Sequence, residues 1–84
     1  MLRIRFFAAI REKLGRSTLE VEPHPGVSDV FSLVQHLNDA VLPGCAAVLL
    51  ADNTLIAVNR TLAGASAAVS DGDEIAFYPP VTGG

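Results

Sequence analysis

The sequence predicts an α+β domain: a mixed sheet of four to five strands, with one main helix packed on one face. Three observations lead there. Leu2, Ile4 and Phe6 alternate with Arg3 and Arg5 at one end of the chain, and Glu74 to Tyr78 reads as a strand at the other; period two is the mark of a half-buried strand. Between them, Val30, Leu33, Val34 and Leu37 fall at i, i+3, i+4 and i+7, one apolar helical stripe. A single stripe covers one sheet face and leaves the other open. The chain has 84 residues, one domain near the lower limit for unaided folding, which hides only about 60–65% of its unfolded surface. Half of it is apolar and 18% is charged, whereas disordered chains are rich in charge and poor in apolar residues.

Element by element, Leu2–Phe6 is the first strand. Arg11 to Arg16 has room for one helical turn before Gly15 reverses the chain, and Thr18–Glu22 is a second strand, forming a hairpin with the first. Pro23-His24-Pro25-Gly26 stops that strand, because proline cannot donate to a ladder. Ser28 is placed to cap the helix, with Asp29 in its first turn, and the helix should end near Asn38 or Asp39. Ala47–Leu50 and Thr54–Val58 read as two extended segments about an Asp52-Asn53 turn. Residues 62–69 are small and carry no clear pattern. Ser70-Asp71-Gly72-Asp73 is a turn, and Pro79-Pro80 ends the last strand. The first and last strands are expected side by side and parallel at the sheet centre. Leu2, Ile4, Phe6, Ile75 and Phe77 would then face the helix, leaving Phe7 and Tyr78 away from it.

Composition excludes several function classes. The single cysteine, Cys45, rules out an internal disulfide framework and a multi-thiolate metal site. The longest apolar run, Cys45 to Ala51, is seven residues, against the ~20 of a membrane helix. No signal-peptide core follows Met1-Leu2-Arg3-Ile4-Arg5, so the expected location is cytoplasmic, with no membrane partner. The net charge of −3 is lopsided: residues 1–16 carry +4 and the remainder −7. That pattern reads as a solvated surface whose opposite ends attract, and no nucleic-acid partner is expected. Cys45 follows Pro43-Gly44 in an apolar run and reads as a small buried hydrophobe rather than a nucleophile. His24 and His36 are distant in sequence, lack ligand company and are expected to face solvent, so no metal site is expected. Asp71, Asp73 and Glu74 surround Gly72 and read as a solvated turn. No phosphate loop or nucleophile elbow is present. The surplus of apolar residues points to an exposed apolar patch that meets a partner. Phe7, Tyr78, Pro79 and Pro80 are its candidates, while Phe6 and Phe77 belong to the core.

The ending Tyr78-Pro79-Pro80-Val81-Thr82-Gly83-Gly84 reads as a projecting arm over 79–84 beyond a domain of residues 1–78. Pro79 and Pro80 favour a stiff extended backbone. Six extended residues reach roughly 20 Å at ~3.3–3.6 Å each. Val81 and Thr82 offer anchoring side chains. Gly83 and Gly84 offer none, so the end can thread a channel too narrow for a Cβ.

The run Asp71-Gly72-Asp73-Glu74-Ile75-Ala76-Phe77-Tyr78-Pro79-Pro80-Val81-Thr82-Gly83-Gly84 resembles the small, sulfur-carrier subunits of molybdopterin synthase. So do Phe6-Phe7-Ala8, Arg11-Glu12, Leu14-Gly15, Ala57-Val58-Asn59 and Thr61-Leu62. The resemblance spans the chain and is weakest over 38–53, where Pro43-Gly44-Cys45 has no counterpart, and over 63–69. It implies a ubiquitin-like β-grasp fold and a carrier, not an enzyme in its own right. The site is Gly84, adenylated by a separate ATP-dependent, ubiquitin-activating-like enzyme and converted by a persulfide sulfur donor to a thiocarboxylate. The partners implied are that enzyme, the donor and the large synthase subunit, where the sulfur would be given to cyclic pyranopterin monophosphate. No cofactor is expected on this chain. Two rivals share the activation chemistry: a carrier for thiamine- or cysteine-type synthesis, and a ubiquitin-like modifier joined to lysine amines. A plain interaction module is a third.

Overall fold

The structure is a computed structural model, described for residues 1–80. Its elements are β1 (Leu2–Phe6), α1 (Ala8–Leu14), β2 (Thr18–Val21), α2 (Val30–Ala40), α3 (Ala46–Leu49), β3 (Leu55–Val58), β4 (Thr61–Ala63) and β5 (Glu74–Tyr78). The strands form one sheet in the order β2-β1-β5-β3-β4. β1 and β5 run parallel at its centre, as the sequence predicts, and the other pairs are antiparallel.

Register explains the layers. Ile4 pairs with Leu19 and Ile75, Phe6 with Phe77, and Ile56 with Phe77, so these side chains share the face that α2 covers. Leu33, Val34, Leu37, Ile4, Ile75 and Phe77 are all wholly buried there. Each such large side chain contributes roughly 1.5–3 kcal/mol by leaving water.

Two helices depart from the sequence reading. The turn expected over Arg11–Arg16 is a longer helix, α1, beginning at Ala8 directly after β1. Ala8 takes φ 51°, a left-handed value for a residue with a Cβ, and this swings the chain abruptly from strand to helix. Ile10 then reaches the core and Gly15, at φ 71°, closes the helix. The extended segment expected over Ala47–Leu50 is instead the helix α3. Cys45 and Leu49, one turn apart, are both wholly buried. Asn38 fixes the entry to this helix, its Oδ1 accepting from the N–H groups of Gly44 and Ala46 at 3.0 Å each.

The cap of α2 is Asp29 rather than Ser28. Its carboxylate accepts from the Ser32 N–H at 2.7 Å, while the Ser32 hydroxyl accepts from the Asp29 N–H, a reciprocal capping box. The helix runs to Ala40, slightly past the expected end. Residues 62–69, unpatterned in sequence, acquire a role here. The carbonyls of Ala67 and Ala65 accept from the Val30 and Phe31 N–H groups, at 3.0 and 2.8 Å. These are the donors a helix start leaves without intrahelical partners. Small side chains let that backbone come close. The strand β4 itself is reached through Asn59-Arg60, a two-residue hairpin turn with φ 50° and 70°.

Candidate functional site

The end of β5 and the start of α1 meet at one place. Because Phe6 pairs with Phe77, the next residues on each strand, Phe7 and Tyr78, lie on the opposite face, away from α2. Their rings stack with centroids 4.6 Å apart and planes 6° from parallel, and both are half-buried. Arg5 lies over the Phe7 ring, 5.1 Å from its centroid. The sharp exit at Ala8 turns the chain into α1 immediately beyond this stack.

The open sheet face extends the patch. Leu55 pairs with Tyr78, and Ala57 lies between Ala76 and Leu62. Leu62 is 72% exposed, a high value for leucine, and with Leu55 it stands beside the small residues Ala57 and Ala76. The result is a shallow apolar surface running from β4 to the aromatic stack. Sequence reasoning found Phe7 and Tyr78 but missed Leu55 and Leu62. The signal was the alternation of Thr61-Leu62-Ala63, which is too short to be read as a strand before its hairpin partner is known.

Pro79 and Pro80 follow directly. They form one wall of a groove of about 360 Å³, completed by Ala9, Ile10, Lys13 and Val48. The chain therefore leaves the sheet between an apolar face and a groove, at the end of its central strand. Val81, Thr82, Gly83 and Gly84, which carry the expected reactive end, lie outside the described residues.

The remaining candidates sort plainly. Cys45 is wholly buried, and desolvation pushes its thiol above the ordinary range, which suits packing and not nucleophilic attack. Asp73 belongs to the turn at the far end of the sheet. It accepts from Asn59 Nδ2 at 3.0 Å and the Ser70 N–H at 2.8 Å, and these bonds hold its carboxyl below the usual value. Asp71 pairs with the Met1 ammonium. His24 faces solvent as expected and His36 is half-buried; the loop after β2 folds onto α2 and stacks the two rings at 4.7 Å, a contact their distance in sequence gives no sign of. His24 Nδ1 accepts from the Gly26 N–H at 3.1 Å. Among the described residues no three potential ligands gather into a metal site, and no helix is long and apolar enough to cross a membrane.

This architecture recurs in solved structures. SAMP1 from Haloferax volcanii superposes with a TM-score of 0.79 and 27% identity, over 99% of this chain and 98% of that one. A chain of the complex of subunits 1 and 2 of the molybdopterin-converting factor from Helicobacter pylori 26695 matches with a TM-score of 0.65 and 25% identity over 99% of this chain and 97% of that one. The fold is the ubiquitin-like β-grasp expected from the resemblance. In sequence, the chain is 41% identical over 85 residues to the molybdopterin synthase sulfur carrier subunit of Escherichia coli (strain K12), covering all of both chains. The family model described as ThiS matches residues 4–84, and the chain belongs to the ThiS family.

Proposed function

We propose that this chain is the sulfur carrier of a molybdopterin synthase. It holds sulfur as a thiocarboxylate on Gly84 and delivers it to cyclic pyranopterin monophosphate within the large synthase subunit. The observation that carries the reading is the pairing of a Pro79-Pro80 exit with the Phe7–Tyr78 stack at the end of the central strand, followed in sequence by Val-Thr-Gly-Gly. A bare carboxylate is a poor electrophile. An activating enzyme would join it to AMP at the expense of ATP, releasing pyrophosphate. A persulfide sulfur would then displace AMP, and a thiol would cleave the resulting acyl disulfide to free the thiocarboxylate. That group is ionised at neutral pH and is a soft nucleophile, so the carrier needs no side-chain base. Phe7, Tyr78, Pro79 and Pro80 dock the body on the large subunit, joined by Leu55 and Leu62. Val81 and Thr82 anchor the tail, and Gly83 and Gly84 thread the catalytic channel. The synthase relative in Escherichia coli and the two-subunit complex from Helicobacter pylori support this assignment.

Intact-mass measurement after incubation with the activating enzyme, ATP and a sulfur donor is the decisive test. One terminal oxygen should be replaced by sulfur, and deleting Gly84 should abolish that change and molybdopterin formation while leaving the fold intact. An unchanged mass in the full-length chain would remove the proposal. A protein-modifier reading is favoured by the likeness to SAMP1, a small archaeal modifier protein; isopeptide-linked Gly84 on lysines in extracts would support it.

A further inference from the structure

The open sheet face carries two arginines in different electrostatic settings. Arg3 lies between Glu20 on β2 and Glu74 on β5, its cross-strand neighbours. Arg5, two residues on and on the same face, has Thr18 and Ala76 in those positions. It is half-buried and sits over the Phe7 ring. Among the described residues the ion pair found joins the Met1 ammonium to Asp71, and Arg5 takes part in none. The acidic residues of the turn, Asp71, Asp73 and Glu74, stand at the other end of β1, where Arg3 donates its N–H to the Asp73 carbonyl.

We infer that Arg5 is a specificity-determining contact of the docking face, and that it receives an aspartate or glutamate which the large subunit presents beside an apolar side chain. The inference rests on the carrier reading and adds to it the chemistry of the facing surface. Two features support the assignment. The ring beneath it holds the guanidinium in place, so little side-chain freedom remains to be lost on docking. Its position continues the Phe7–Tyr78 stack, so an apolar contact there brings the partner's neighbouring residue onto Arg5. Covering the stack dehydrates the cation, and a buried arginine without a carboxylate would oppose binding. An acidic partner residue resolves that conflict and discriminates against surfaces that are merely apolar.

The test is calorimetric titration of the full-length chain into the cognate large subunit at several salt concentrations, with Arg5→Glu, Arg5→Gln and Arg3→Glu beside the unmodified chain. Arg5→Glu should weaken binding by about tenfold or more at low salt, the size expected for like-charge juxtaposition at an interface. Arg5→Gln should weaken it less and flatten its salt dependence. Arg3→Glu should change it by less than about twofold, as a rim position does. If Arg5→Glu perturbs the amide NMR spectrum of the sheet, Arg5→Gln and the salt series decide the question alone. Unmodified chain that binds while Arg5→Glu or Arg5→Gln binds equally well, with the same salt dependence, overturns this inference and leaves the carrier proposal standing. Unmodified chain that fails to bind the large subunit overturns both.

Discussion

Tyr78 shows how one residue can be divided between folding and docking. Its ring is half-buried against Phe7, a stacked pair of the kind that contributes about 0.5–1.5 kcal/mol beyond area burial. Read as a partner contact from sequence alone, Tyr78→Asp should weaken partner binding and leave thermal stability nearly unchanged. With the stack present it should lower the melting temperature by about 4–8 °C, the shift that ~1 kcal/mol gives a domain of this size, and weaken binding to the large subunit more strongly. Scanning calorimetry and titration separate the two effects. Arg60 is a residue-scale test of strain. At φ 70° it occupies a conformation natural to glycine, so Arg60→Gly should raise stability by about 0.5–1 kcal/mol, measured by chemical denaturation. Cys45 should resist thiol reagents in the native protein and react only on unfolding, because burial keeps it in the neutral thiol form.

At the scale of the element, α2 depends on its N-terminus. The Asp29–Ser32 box and the carbonyls of Ala65 and Ala67 together satisfy the donors of its first turn. Removing the cap with Asp29→Ala should cost about 0.5–2 kcal/mol, read as a lower denaturation midpoint. Bonds from the Ser32 N–H and then its hydroxyl lower the Asp29 carboxyl below its ordinary 3.8. Asn59 Nδ2 and then the Ser70 N–H do the same for Asp73. In both, the folded state holds its proton less tightly than the unfolded chain. Their stabilisation is therefore complete above the ordinary value and is lost as pH falls through the lowered one. Melting temperature should drop below about pH 4, with a shallower acid slope in Asn59→Ala than in the unmodified chain. The element scale also shows where alternation and periodicity misled. Ala46–Leu49 is a short apolar run, ambiguous between strand and helix. It is a helix that sets Cys45 and Leu49, one turn apart, into the core, while β3 takes its two ladders from β5 and β4.

For the whole molecule, two central parallel strands tie the start of the chain to its end, so the exit of the tail is placed by the most buried part of the sheet. The α+β class and the single main helix were legible from residue patterns, because each is a matter of period two or period 3.6 in the chain itself, and the central β1–β5 pair followed from the arrangement common to that class. The Gly83-Gly84 ending is equally legible in the sequence, and the role proposed for it rests on the lack of side chains there. Tertiary structure alone decided which distant side chains meet: Phe7 on Tyr78, His24 on His36, and Leu62 opposite Ala57. Those contacts join residues from different strands, turns and helices. Their register is set by packing over the common core, and no local period records it.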